Sequence, residues 1–160
     1  MGKVANIISV LNLSLGVLAI RFAFFGELYT SAVLLLLAVV ADVLDGKVAR
    51  GEKKTELGKQ LDSLSDMISF GAAPAVILMA YLPFELFFIP LLIAIAGELR
   101  LARYNVTNQS KAFIGLPITF NGLFVPILIF GGLTSPLAVI AYSLIVSILM
   151  VSTVRIKRII

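Results

Sequence analysis

The chain has 160 residues, 60% of them hydrophobic and 14% charged, with a mean hydropathy of +1.08. So much apolar surface exceeds what a globule of this size can hide from water, so hydrocarbon is expected to cover the remainder. There is no cysteine and no histidine, which excludes disulfides, thiolate zinc sites and imidazole acid–base chemistry. Metal or proton chemistry must run on carboxylates.

Six apolar runs follow one another, at about 5–25, 31–49, 61–80, 86–104, 114–131 and 135–153, each near the length of about 20 residues that a spanning helix needs. The sequence therefore predicts an all-α integral membrane protein, one domain over 1–160, with six transmembrane helices. The first run is too long for a cleavable leader and lacks a small-residue cleavage site. It carries Asn6, Ser9 and Asn12 at spacings of three, on roughly one helical stripe. Polar contacts between helices are the plain account of such a stripe.

The second run closes on Asp42 and Asp45, and the third opens on Asp62 and Asp66. Spacings of three and four put each pair on one helical face. A short basic turn joins the two runs, so the faces are expected to converge, with four carboxylates at a common depth. Carboxylates so close repel unless a cation intervenes, and hard divalent ions such as Mg²⁺ or Mn²⁺ prefer oxygen ligands. A solvated rim, with the aspartates paired to Lys47, Arg50 and Lys59, is the alternative. Four acidic groups at two helical spacings, beside Gly46 and Gly58 where backbone and ligand can approach closely, outweigh it.

Charge placement orients the chain. If Lys3 begins on the cytoplasmic side and six helices span, twelve of the thirteen basic residues fall on that side, and only Arg21 lies opposite. Such an asymmetry is the positive-inside pattern and puts both termini in the cytoplasm. The net charge of +4 then reflects topology and attraction to lipid phosphates, with no nucleic-acid partner expected.

Asp42-Val-Leu-Asp45-Gly46-Lys-Val-Ala49-Arg50, seven further residues, and Gly58-Lys-Gln-Leu-Asp62-Ser-Leu-Ser-Asp66 resemble the signature of the CDP-alcohol phosphotransferase family. The resemblance implies two divalent metal ions (Mg²⁺ or Mn²⁺) held by Asp42, Asp45, Asp62 and Asp66, with Asp66 also the catalytic base. It further implies that Gly46, Arg50 and Thr55, beside Gly58, contact the CDP part of a lipid donor. The family usually shows Pro-Asn-x-x-Ser/Thr in its first helix, contributing to the nucleotide pocket. Here Ala5 replaces the proline while Asn6, Ser9 and Asn12 remain.

Further stretches resemble the membrane phosphatidylserine synthase branch: Ser69-Phe70-Gly71-Ala72-Ala73-Pro74, Arg100-Leu-Ala-Arg103-Tyr-Asn105 and Phe113-Ile-Gly-Leu-Pro117. The implied reaction moves the phosphatidyl group of a CDP-diacylglycerol-type lipid to the hydroxyl of L-serine at the cytoplasmic face of the cell membrane, by a homodimer among membrane lipids. Arg100 and Arg103 could hold the serine carboxylate as paired donors; positive-inside anchoring and pairing with Glu98 is the other account. Ser63, Ser65, Ser69 and Asn105 could complete that pocket, and packing explains the serines equally well. The competing readings are another acceptor, glycerol phosphate or inositol phosphate, a divalent-cation transporter, and a structural membrane subunit.

Overall fold

The computed structural model describes residues 3–51, 55–107, 113–152 and 155–156, with the side chains of 3, 5, 47–51, 107, 113–114 and 155–156 outside that description. Two long helices open the chain, α1 (Lys3–Phe24) and α2 (Leu28–Gly51). The turn between them passes through Gly26 at φ 77°, a left-handed conformation that glycine adopts without the Cβ penalty. α3 (Glu56–Asp66) starts at Thr55, whose hydroxyl accepts the Gly58 N–H at 3.1 Å and caps the first turn.

From Asp66 the helix continues through a π-helical turn (Met67–Ala72) into α4 (Ala73–Met79), one rod over Glu56–Met79. The sequence supplies a reason for the widened turn. Pro74 has no N–H to give the Phe70 carbonyl four residues back, and its ring crowds that oxygen. The Ala73 N–H accordingly reaches the Ile68 carbonyl, five residues back. A 3₁₀ turn (Phe84–Leu86) leads to α5 (Leu91–Thr107), followed by α6 (Phe120–Phe130) and α7 (Pro136–Val151). A two-residue antiparallel pair, β1 (Phe113–Ile114) with β2 (Arg155–Ile156), sits beyond the ends of α5 and α7.

The first two helices are built inside out. α1 buries Ser9, Asn12, Gly16, Ala19 and Ala23 while exposing Ile7, Val10, Leu11, Val17 and Leu18. α2 buries Ser31, Ala32, Leu35, Ala38, Ala41 and Asp45 while exposing Val33, Leu37, Val40, Val43 and Leu44. In water that arrangement would waste the hydrophobic effect. Lipid tails make it favourable, because small and polar side chains let helices approach while the aliphatic face meets hydrocarbon. Asn6–Phe24, Leu28–Gly46 and Glu56–Met79 are each long and apolar enough to cross a membrane.

The later runs depart from the expected bounds. The run expected over 86–104 is helical only from Leu91, behind Pro90, and extends to Thr107. Residues 113–119 precede α6 as a short strand and turn, with Gly115 at φ 72° pressed against the Met150 carbonyl. At 1.5 Å per residue, α6 spans only about 16 Å and α7 about 24 Å, short of a hydrocarbon core of about 30 Å.

α1 is the hub, packing along α2 and against α3 and the π turn; α5 packs on α7, and α2 on α6. At the α1–π turn crossing, Gly16 faces Ser69 so closely that a Cβ on Gly16 would lie 2.7 Å from the Ser69 Cα. Gly16→Ala is therefore expected to force the two helices apart at a cost of about 1–3 kcal/mol, read as a lowered thermal unfolding midpoint in detergent.

Candidate metal centre and active site

Three acidic side chains from two helices meet at one end of the bundle. Asp42 of α2 and Asp62 and Asp66 of α3 each offer a carboxylate oxygen, all within 4.8 Å of one another and half-buried. Three unit charges so placed interact unfavourably by roughly 3 kcal/mol per pair at an effective dielectric of about 20. A cation relieves that strain directly, and the donors are all hard oxygens, the ligands that Mg²⁺ and Mn²⁺ take. The residues fit a divalent metal.

Asp45, one turn beyond Asp42, is more deeply buried in the protein than its half-buried neighbour. It is 2% exposed and accepts a hydrogen bond from the Ser9 hydroxyl at 2.6 Å. α1 thus ties into both acidic helices. Ser9 holds Asp45, and the Asn12 amide donates to Asp66 Oδ1 at 3.1 Å. The Asn12 backbone carbonyl in turn accepts from the Ser69 hydroxyl at 2.9 Å. Asp66, Asn12 and Ser69 therefore close a loop across the α1–α3 contact, which fixes the Asp66 carboxylate against rotation.

Around this centre the glycines differ. A Cβ on Gly46 would meet nothing within 4 Å among the described residues, whereas one on Gly58 would come within 3.1 Å of Asn6 Oδ1 and 3.3 Å of Thr55 Oγ1. A side chain at Gly58 would crowd Asn6 and Thr55, which would have to give by a few tenths of an ångström. Asn6, Gly58 and Thr55 thus share one corner. The Arg50 side chain lies outside the described residues.

The residues proposed for an acceptor separate into two groups. Arg100 of α5 is 8% exposed and within electrostatic reach of Asp66, and its Nε has no hydrogen-bond partner among the described residues. Asn12 Oδ1 is likewise buried without one. Both are buried polar atoms whose hydrogen-bonding capacity is unused among the described residues. Arg103, by contrast, donates from Nη1 to the Val151 carbonyl at the end of α7, 3.1 Å away. Ser63 and Asn105 hydrogen-bond each other at 3.1 Å and bridge α3 to α5 on an exposed edge. Ser65 is buried in α3, and Ser69 is spent on the Asn12 carbonyl.

Two polar residues that the sequence reading passed over stand behind the centre. Asn121 of α6 is fully buried and donates to the Phe70 carbonyl at 2.9 Å, while the Tyr142 hydroxyl of α7 donates to Asn121 Oδ1 at 2.9 Å. Their signal was present as an asparagine and a tyrosine inside otherwise apolar runs.

Residues 3–156 match the family model described as CDP-alcohol phosphatidyltransferase. The archaetidylserine synthase of Methanothermobacter thermautotrophicus is 39% identical over 161 residues, covering 96% of this chain and 69% of that protein. The CDP-diacylglycerol–serine O-phosphatidyltransferase of Methanocaldococcus jannaschii is 38% identical over 122 residues, covering 75% of this chain and 57% of its own length. The enzyme of the same name from Bacillus subtilis is 33% identical over 137 residues, covering 81% and 77% of the two chains.

Proposed function

Because the chain belongs to the CDP-alcohol phosphatidyltransferase family, we propose that it transfers the phosphatidyl group of a CDP-activated lipid to the hydroxyl of L-serine, releasing CMP. The observation that carries this reading is the three-carboxylate cluster of Asp42, Asp62 and Asp66. The names of the relatives from Methanothermobacter, Methanocaldococcus and Bacillus supply serine as the acceptor.

In the chemistry proposed, Asp66 takes the hydroxyl proton of serine as its oxygen attacks the lipid-side phosphorus. The phosphoanhydride bond breaks and CMP leaves with the bonding electrons. Two divalent ions held by Asp42, Asp62, Asp66 and the neighbouring Asp45 would neutralise the pyrophosphate and the leaving group. Asn12 keeps the Asp66 carboxylate aimed, and Arg100, within electrostatic reach of Asp66, supplies a cation for the serine carboxylate. Asn6, Gly46, Arg50, Thr55 and Gly58 surround the nucleotide.

The same reading places the chain in the cell membrane with six crossings, both termini and the aspartates on the cytoplasmic side. Serine and CMP then exchange with water while the lipid tails stay in hydrocarbon. The homodimer expected from the family resemblance belongs to this proposal as well.

Purified protein given CDP-lipid, Mn²⁺ and labelled serine is expected to release CMP and form labelled phospholipid, and to lose both activities on addition of EDTA. Glycerol phosphate or inositol phosphate in place of serine is expected to give neither. Turnover with one of those and not with serine would reassign the acceptor. Metal flux into liposomes without CDP-lipid would favour a transporter.

A further inference from the structure

Pro74 and the π turn create a problem that Asn121 solves. In an α-helix the Phe70 carbonyl would take the N–H of residue 74, which proline lacks. Inside a bundle with little water, an orphaned carbonyl is costly, and a side chain from a neighbouring helix commonly fills the gap. Here the Asn121 amide does so, held in turn by the Tyr142 hydroxyl. Tyr142 packs against both buried apolar clusters of the bundle, so its ring is well anchored.

The widened turn sets the direction of the aspartates. Downstream of it, Ala73, Pro74, Ala75, Ile77 and Leu78 are all buried and fix the rotation of α4 in the core. Upstream lie Asp62 and Asp66. One extra residue in a turn rotates everything before it by about 100° relative to everything after it. With α4 locked, the π turn decides whether Asp66 and Asp62 face Asp42 and Asn12 or turn away.

We infer that Asn121 and Tyr142 are positioning residues for the metal centre: by satisfying the Phe70 carbonyl they hold the π turn whose register aims Asp62 and Asp66 at Asp42. This inference rests on the metal reading above. Neither side chain belongs to the carboxylate cluster: Asn121 donates to the Phe70 carbonyl and Tyr142 to Asn121.

Direct Mn²⁺ binding to the detergent-purified full chain, measured by titration calorimetry alongside the thermal midpoint, tests it. Asn121→Ala is expected to weaken Mn²⁺ binding at least tenfold and to lower the midpoint. Adding Pro74→Ala restores an N–H for the Phe70 carbonyl and removes the reason for the widened turn. The double variant is therefore expected to regain stability while Mn²⁺ binding stays weak. Tyr142→Phe, which keeps the ring, is expected to weaken Mn²⁺ binding severalfold with the midpoint nearly unchanged.

If metal affinity returns together with stability in the double variant, Asn121 is only structural and the inference is overturned. Unaltered Mn²⁺ affinity in Tyr142→Phe overturns it too, even if Asn121→Ala fails to fold. A wild-type chain that binds no Mn²⁺ removes the metal reading and this inference with it. A wild-type chain that binds it equally well with all three variants removes this inference alone.

Discussion

Asp66→Asn is expected to lower the rate of CMP release by about 10³-fold or more, because it removes the proposed proton acceptor, worth about 10²–10⁴ in rate, together with a carboxylate of the cluster. The substitution is nearly isosteric and leaves an Oδ1 to accept the Asn12 amide. The α1–α3 contact should therefore survive. Nucleotide affinity, measured with CDP in the absence of metal, is expected to change little, since no contact to Asn6, Gly58 or Thr55 is altered.

Thermal unfolding gives an independent readout of the same variant. A ligand that binds only the folded state raises stability in proportion to the logarithm of its concentration over Kd. Mn²⁺ should thus raise the midpoint of the wild-type chain and raise that of Asp66→Asn less. Retained turnover in Asp66→Asn would show that another group takes the proton. An undiminished Mn²⁺ effect would show that the cluster does not bind metal through Asp66.

That Asp42, Asp62 and Asp66 come together was readable from the sequence because helical spacing is strict. Residues three or four apart share a face, and a short connection forces two such faces to meet. The long helices were readable for a similar reason, as uninterrupted apolar runs with few alternatives. The degree of burial was not readable. Asp45 differs from Asp42 by one turn, yet Ser9 draws it into the interior while Asp42 stays half-buried. That depends on the rotation of α1 against α2, which small residues set by packing.

The second half was less legible because hydrophobicity alone does not specify helix. Pro90 starts α5 late, and Gly115 and Pro117 keep 113–119 out of helix although those residues are as apolar as their neighbours. The π turn had a cue in Pro74. Its partner Asn121 is distant by 51 residues, and no local pattern links them. Arg100 and Arg103 are three apart and look equivalent in sequence, but one is buried within electrostatic reach of Asp66 and the other donates to the last carbonyl of α7.

That divergence makes Arg100 the decisive test of acceptor recognition. A buried guanidinium whose Nε has no partner among the described residues, within electrostatic reach of the proposed base, suits a carboxylate, which Arg binds through paired donors. Loss of a hydrogen bond to a charged group costs about 1.5–3 kcal/mol, so Arg100→Gln is expected to raise the KM for serine by about tenfold to a hundredfold. Ethanolamine, which offers the same hydroxyl and ammonium without a carboxylate, separates recognition from scaffolding. Wild-type protein should prefer serine strongly, and Arg100→Gln should lose most of that preference because only the serine reaction uses the guanidinium. If both acceptors instead slow by the same factor, Arg100 acts on Asp66 or on the fold, and the carboxylate must be read by another group. Arg103→Gln, which loses a donor to the Val151 carbonyl, is expected to leave the serine-to-ethanolamine ratio unchanged, which sets the baseline for the comparison.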